Sequence, residues 1–502
     1  MDKVDIIVHR VNEVFVQLEC DDSIKAELND FFSFYAPNYQ FSPLYKKKIW
    51  NGKIYLYSKK TSRIYGGLIR YIKDFCEERK LKCLVDPAAH VFNQFTPEES
   101  VAFAQSLDLH SRGQAIEPRD YQFVGFVKAI KYRKALLLSP TASGKSLIIY
   151  LIMRYLLQKD CRRGLLIVPT ISLVEQMYGD MKDYSSANGW DVEKNVQKIY
   201  QGQEKQITKS LTISTWQSIH EFPKKFFEQF DFVIGDEAHS FKAKSLSNIM
   251  TKLSNAKYRI GTTGTIDDSE VHKLVLEGHF GPALKVVTTK ELIDKGQLSD
   301  LQIKCLVLKY PEAACRLVKE MEFHEEMDFI VTNPHRNKFV TNLALDLKGN
   351  SLILFQYVDK HGRILYNNIL EKTKEQLNRK IFFVCGETEA EDREAVRHIT
   401  EQENDAIIVA SYGVFSTGVN IRRLHNIIFA SPSKSKIRNL QSIGRGLRLG
   451  EGKEIATLYD ISDDLRTGNH VNYTMNHYAE RVKIYHAEKF KISTYKVELK
   501  YD

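Results

Sequence analysis

The stretch KALLLSPTASGKSLIIYLI runs from Lys134 to Ile152. It opens on the apolar run Ala135–Leu138, the length of a buried strand, and closes on an apolar run long enough to begin a helix. Between them lies Ser139-Pro140-Thr141-Ala142-Ser143-Gly144-Lys145-Ser146. This is the phosphate-binding pattern G-x-x-x-x-G-K-[ST] with serine in place of the first glycine. A loop joining a strand to a helix N-terminus directs backbone N–H groups at an anion. In such a loop Gly144 permits close backbone approach, Lys145 supplies a cation for the β- and γ-phosphates, and Ser146 offers a hydroxyl to Mg²⁺. Thr141 and Ser143 complete the expected cradle. An accidental SGKS in a turn is the alternative, and the flanking strand and helix argue against it.

Outward from this loop the chain alternates short apolar strands with helical stretches. Strands are expected at Ala135–Leu138, Gly164–Val168, Leu211–Ser214, Phe232–Gly235 and Tyr258–Thr262. A second series is expected at Ile303–Leu308, Leu352–Gln356, Lys380–Val384, Ala406–Ala410, Asn426–Ala430 and Ile455–Asp460. Alternation of this kind implies parallel, doubly wound sheets, and two series imply two α/β domains in tandem. An amphipathic helix is expected near His470–Phe490, closing the chain. No internal repeat of sequence is visible.

Two further motifs carry chemistry. In FVIGDEAHS, residues 232–240, an apolar strand runs straight into Asp236 and Glu237. Carboxylates just past a strand end lie at the ligand-binding edge of a parallel sheet. Asp236 suits the Mg²⁺ shell and Glu237 suits polarising a water. In QSIGRGLRLG, residues 441–450, Arg445 and Arg448 are three apart and share a face if helical. Two guanidiniums facing a γ-phosphate would stabilise charge developing in phosphoryl transfer. A turn and a solvated basic helix are the respective alternatives if either motif stood alone.

The 502 residues hold enough apolar material for several cores, and length alone suggests about three domains. No apolar run reaches the ~18 residues that a membrane span requires. The N-terminus lacks a signal-peptide layout. Seven scattered cysteines form no C-x-x-C pair, which points to neither zinc nor a disulfide framework and fits a reducing, cytoplasmic compartment.

Charge is unevenly placed. The chain has 72 Lys and Arg against 63 Asp and Glu; between Leu44 and Lys82 the counts are 12 and 3, leaving 60 of each sign elsewhere. The whole net charge of +9 therefore sits in that one stretch. A polyanion partner would explain it, a solvated surface being the alternative. Within it, Asn51-Gly52 lies between KKKIW and KIYLYSKK and predicts a two-residue hairpin. Ile54 and Leu56 would share one face, and Lys53, Tyr55, Tyr57 and Lys59 the other. Arg63–Lys80 is expected to be helical, with Ile64, Leu68, Ile72 and Phe75 at helical spacing. Lys46, Lys47, Lys48, Lys53 and Trp50 are candidate nucleic-acid contacts, with Trp50, Tyr55 and Tyr57 able either to stack on bases or to pack the hairpin.

From Arg119 to Arg448 the order of motifs resembles the superfamily 2 helicases and translocases. Arg119-Asp120-Tyr121-Gln122 is similar to the adenine-reading glutamine motif, with Arg119 and Gln122 as the contacts. SPTASGKS is similar to motif I, where the first position is often not glycine; Asp236–His239 is similar to the DEAH box. Gly261–Thr265 is similar to the motif that couples the two domains. Gln441–Arg448 is similar to motif VI, with Gln441, Arg445 and Arg448 at the catalytic positions. Ala410–Asn420 is similar to motif V, which assigns Gly418 and Asn420 to the nucleotide; the family often has aspartate where this chain has Asn420. Nucleic-acid contacts are implied at Pro169, Thr170 and Gln176, at Trp216, and at Gln356 and Tyr357.

The resemblance implies a small basic α+β nucleic-acid-binding domain at 1–110, a RecA-like domain with P-loop and DEAH box at 111–300, and a second RecA-like domain with the arginine fingers at 301–502. The whole chain further resembles the phage recombination helicases. That likeness implies ATP- and Mg²⁺-dependent fork regression, Holliday-junction branch migration and R-loop unwinding in the host-cell cytoplasm. Branched and single-stranded DNA are the implied partners, with RNA–DNA hybrids and recombination proteins as further candidates and no membrane. A restriction-system motor subunit, an RNA helicase and a nucleotide-gated strand-annealing protein are the alternatives.

Overall fold

The computed structural model describes residues 4–36, 39–159, 161–200, 206–240, 243–266, 270–374, 379–417, 421, 423–433, 435, 443–444 and 455–501. The chain divides into two compact units, one of 1–139 with 144–287 and the other of 140–143 with 288–502.

The first unit begins with an α+β element. Its strands are β1 (Ile6–Arg10), β2 (Phe15–Glu19), β3 (Ser33–Tyr35), β4 (Lys53–Tyr55), β5 (Tyr57–Ser58), β6 (Arg63–Tyr65) and β7 (Cys83–Val85). Five of them form a mixed sheet in the order β5-β6-β2-β1-β7, and β3 pairs with β4 separately. The hairpin expected at Asn51-Gly52 is not formed. Pro43 starts a short helix, Pro43–Lys46, which takes the upstream arm out of extended geometry, and β4 pairs instead with β3. The hairpin in this stretch joins β5 to β6. Expected facing fails as well: Tyr57 is buried beside Leu56, while Tyr55 remains exposed. Ile64 belongs to β6, and the helix is the shorter Ile69–Glu78. Ile64, Leu68, Ile72 and Phe75 nevertheless all enter one core.

A connecting segment carries the helix Pro97–Gln105 and a tight hairpin of β8 (His110–Ser111) and β9 (Gln114–Ala115). Thr96 and Glu99 cap that helix reciprocally. The α/β part follows with β10 (Lys134–Leu138), β11 (Gly164–Val168), β12 (Val196–Ile199), β13 (Leu211–Thr215), β14 (Phe232–Gly235), β15 (Tyr258–Thr263) and β16 (Ala283–Lys285). Among the described residues these make one sheet in the order β12-β13-β11-β14-β15-β10-β16, with every pairing parallel. All five residues of β11 are buried, as a strand covered on both faces must be.

The second unit repeats the plan. Its strands are β17 (Asp300–Lys309), β18 (Ser351–Phe355), β19 (Ile381–Val384), β20 (Ile407–Ser411), β21 (Asn426–Phe429), β22 (Ile455–Asp464) and β23 (Lys491–Glu498). They align in the order β19-β20-β18-β21-β22-β17-β23, again all parallel. Counted along each unit, the two sheets share one permutation, 3-4-2-5-6-1-7. The architecture is thus duplicated although no repeat shows in the sequence. Edge strands β12, β16 and β23 had no strong sequence signal, and β23 follows the helix Tyr473–Ala487, which therefore does not close the chain.

That helix is anchored by buried charge. The Arg481 guanidinium binds Asp460 on β22, and both are almost fully buried. Glu326, wholly buried, accepts from the Tyr473 and Thr474 N–H groups and so caps the helix from another element.

Candidate nucleotide and nucleic-acid site

The chemistry-bearing residues of the first unit gather at the carboxyl edge of its parallel sheet. β10 ends at Leu138 and the helix Lys145–Lys159 begins directly after the loop. Ala142 and Gly144 both take the left-handed backbone region, with φ of 69° and 75°. Ser143 Oγ turns back on Pro140 O at 2.7 Å. Gly144 sits where a residue with a Cβ is strained, and a Cβ there would lie 2.5 Å from Gln122 Nε2, so that Gln122 would have to move.

Gln122 braces the loop. Its Oε1 accepts from the Arg119 N–H at 2.8 Å, and its Nε2 donates to Gly144 O at 3.3 Å. Arg119 donates to Tyr121 OH at 3.1 Å. Ser146 Oγ bonds the Tyr184 hydroxyl at 2.9 Å. Tyr184 lies 38 residues further on, and no feature of the sequence signalled that contact.

β14 and β10 flank β15 in the sheet, which brings the acidic motif beside the loop. Lys145 Nζ is 3.2 Å from Glu237 Oε1. Glu237 sits at φ 48°, a conformation costly for a residue with a side chain and often found at functional sites. Asp236 is buried and accepts from Thr262 Oγ1 at 2.6 Å. Burial, reinforced by the Glu237 charge, pushes the Asp236 carboxyl up to about 6, against the pull of Lys145 and the Thr262 hydroxyl. His239 bridges outward, with Nδ1 2.7 Å from Thr263 Oγ1 and 3.4 Å from Glu237 Oε2. Thr262 and Thr263 belong to the Gly261–Thr265 segment, so β15 supplies the links between the two motifs.

The expected nucleic-acid contacts of this unit also meet at one sheet edge. Pro169 and Thr170 follow β11; Thr170 caps the helix Ile171–Tyr184, on which Gln176 is exposed. Trp216, half-buried, opens a short helix after β13, the parallel neighbour of β11. Gln217 Nε2 donates to Pro169 O at 3.1 Å and ties the two segments together. In the second unit Gln356 is exposed after β18, with its N–H on Ser431 Oγ at 3.1 Å, and Tyr357 follows it. Lys46, Lys47 and Lys48 are exposed; Lys53 lies over the Tyr35 ring; and Trp50 donates its indole N–H to Lys53 O at 2.9 Å. Gly418, Asn420, Gln441, Arg445 and Arg448 lie outside the described residues. Among the described residues no cluster of three His, Cys, Asp or Glu could hold a metal, and no helix is long and apolar enough to cross a membrane.

Residues 5–86 match the family described as DNA helicase UvsW, N-terminal. Residues 115–268 match the Type III restriction enzyme, res subunit family, and residues 335–450 match the helicase conserved C-terminal domain. The chain is 33% identical over 500 residues to the ATP-dependent DNA helicase uvsW of Enterobacteria phage T4, covering 97% of this chain and 98% of that protein. The crystal structure of T4 UvsW superposes with a TM-score of 0.54 at 31% identity, over 99% of this chain and 100% of that one. The DNA-bound Type ISP restriction-modification enzyme LlaBIII shares the fold, with a TM-score of 0.55 at 15% identity over 84% of this chain and 34% of its own.

Proposed function

Because the chain belongs to the UvsW family of ATP-dependent DNA helicases, we propose that it is a motor for branched DNA, and that the residues gathered at the carboxyl edge of the first parallel sheet run its ATPase cycle. The observation that carries this reading is the Lys145–Glu237 pair at 3.2 Å with Asp236 next in sequence. One cation and two carboxylates with different surroundings is the set that phosphate binding, metal binding and water activation require.

The residues fit Mg²⁺ and ATP. Asp236 is a buried carboxyl whose ionised form is penalised by desolvation, and a divalent cation would relieve that penalty. Ser146, whose hydroxyl bonds Tyr184 at 2.9 Å, would offer a second oxygen. The bound ion would supply charge neutralisation across the β- and γ-phosphates. Lys145 would leave Glu237 for the phosphates, which frees Glu237 to orient the attacking water. Gln122 holds the loop backbone at Gly144 and the Arg119 N–H, and the two residues would contact the adenine. Gln441, Arg445 and Arg448 would act from the second α/β domain, with Gly418 and Asn420, so that hydrolysis depends on both domains. Domain limits near 110 and 300 accompany this reading.

Pro169, Thr170, Gln176, Trp216, Gln356 and Tyr357 would hold a strand chiefly by its phosphates, which makes the grip sequence-independent and salt-sensitive. Fork regression, Holliday-junction migration and R-loop unwinding are the reactions proposed, in the host-cell cytoplasm. The test is the ATPase rate against single-stranded, duplex, forked and four-way DNA and matching RNA. Strongest stimulation by forked and four-way DNA is expected. Equal stimulation by plain duplex would return the protein to a general duplex translocase, and stimulation by RNA alone to an RNA helicase.

A further inference from the structure

Away from the nucleotide edge, the first unit encloses a cavity of about 490 Å³. It lies at the amino edge of the parallel sheet, where Lys134 begins β10 and Tyr258 begins β15. The P-loop leaves the other end of β10, five residues along, a separation of about 15 Å at the usual strand rise. The opposite wall comes from the N-terminal α+β element: the end of β1, the turn before β2, and the start of the helix Ile69–Glu78.

The charge of this cavity is one-sided. Arg10, Arg70, Lys73, Arg133, Lys134 and Lys257 line it, and Glu13 is the only carboxylate among its lining residues. Glu13 is already engaged, by Arg10 at 2.5 Å and Lys134 at 3.5 Å. Among the described residues no carboxylate lies within ion-pair distance of Arg70, Lys73, Arg133 or Lys257. Six cations from two separate parts of the unit thus line one concavity, Arg133 and Lys134 half-buried and Arg10, Arg70, Lys73 and Lys257 at exposed positions.

The site is also built. Arg133 takes the left-handed backbone region at φ 59°, its Nε donates to Asn93 Oδ1 at 2.7 Å, and its guanidinium lies 5.7 Å over the Tyr258 ring. Asn93 in turn donates to Ile130 O and to Tyr258 OH, both at 2.8 Å. One guanidinium is thus held in place before any ligand arrives. Burial pushes the Lys134 ammonium down to about 8, against the pull of Glu13 and with the nearby Arg259 and Arg10 charges adding to the shift, so a further anion would stabilise its charged form. The Phe92 ring, half exposed, sits edge-on to Tyr132 at 5.5 Å and against His90 at 4.4 Å. It offers an apolar face to a planar ring.

We propose that this cavity is a second ligand site, which takes a single nucleoside phosphate: phosphates on the converging cations and the base against Phe92. The volume suits one small molecule, within the usual range of about 300–1,000 Å³.

The test uses the full chain with its P-loop filled by ADP and beryllium fluoride and then freed of unbound ADP by gel filtration, so that the cavity is left open. Guanosine 5′-diphosphate, inorganic pyrophosphate, guanosine and a short oligothymidylate are then titrated by calorimetry at fixed salt. The diphosphate is expected to bind one further equivalent, pyrophosphate more weakly and guanosine not at all. Lys73→Glu with Lys257→Glu, both at exposed positions, is expected to weaken that equivalent by about tenfold or more while ADP affinity and melting temperature stay unchanged. Absence of the extra equivalent up to millimolar nucleotide overturns the proposal, as does an equivalent that the double substitution leaves intact. Loss of oligothymidylate affinity in the double variant, without any diphosphate isotherm in the parent, assigns the cavity to a nucleic-acid strand and overturns it too.

Discussion

Lys145 and Glu237 neutralise one another at 3.2 Å, and each is expected to have a separate task once phosphate is present. Lys145→Ala removes the cation facing the phosphates while leaving the basic stretch intact. DNA-stimulated ATP hydrolysis is expected to fall on the order of a hundredfold or more, with DNA affinity within a few-fold of the parent. Turnover and anisotropy measurements together decide this, and near-parental hydrolysis would remove the P-loop assignment. Glu237→Gln keeps the side-chain shape and the Asp236–Thr262 contact. It is expected to bind ATP and stall before hydrolysis; complete loss of nucleotide binding would make Glu237 structural, a role its φ of 48° also permits. Arg445→Ala and Arg448→Ala are each expected to lower turnover far more than ATP affinity, because fingers act mainly on transition-state charge. Equal losses in kcat and affinity would instead indicate ground-state binding.

Among the elements, the helix Glu270–Phe280 is the hinge of the first unit's construction. Val271, Leu274 and Val275 share a core with the N-terminal α+β element. Gly67 packs so tightly against it that a Cβ there would stand 2.0 Å from Glu277 O. Tyr71 donates its hydroxyl to Glu277 at 2.6 Å, and the His279 ring lies 4.3 Å from Tyr65. His279 is buried, bonded through Nε2 to Ser247 Oγ at 2.9 Å, and burial with the nearby Arg259 charge depresses it to about 3 from its ordinary 6.5. The unfolded chain therefore binds a proton below about pH 6.5 that the folded chain refuses until far lower. The stability due to neutral His279 is full above that range and is lost as pH falls. Denaturant melts are expected to show about 1 kcal/mol lost between roughly pH 7 and 5.5 from this group, and His279→Gln is expected to remove that part of the slope. An unchanged slope in the variant would clear His279 of the effect.

At the scale of the whole molecule, charge is partitioned: the net +9 lies entirely between Leu44 and Lys82. Lys46, Lys47 and Lys48 are exposed beside the exposed Phe41, Leu44, Ile49 and Tyr55. Cations mixed with exposed aromatic and aliphatic side chains suit phosphates and unpaired bases together. Replacing Lys46, Lys47, Lys48 and Lys53 by glutamine is expected to weaken four-way-junction binding and to flatten its salt dependence by up to about 3 units in log K against log salt. An unchanged slope on the junction would leave the patch a solvated surface. The melting temperature controls for folding.

Local chemistry was legible without any structure. The P-loop, Asp236-Glu237 and the central strands were readable because a buried parallel strand needs a continuous apolar run and a phosphate loop needs its glycine and lysine at fixed spacing. These constraints act within a few residues, so they are written in consecutive letters. Pairing across the chain was not. Asn51-Gly52 carries a strong local hairpin signal, yet Pro43 and the competing partner β3 decided otherwise. Tyr57 alternates with its neighbours as if outward and is buried, because β5 pairs with β6. Edge strands β12, β16 and β23 are short or polar and acquire their geometry from the neighbour they bond. The Ser146–Tyr184 contact, the capping of Tyr473 by Glu326 and the convergence of six cations on one cavity each join residues tens to hundreds of positions apart. So does the permutation common to both sheets, which long-range packing conserves while the side chains that produce it differ.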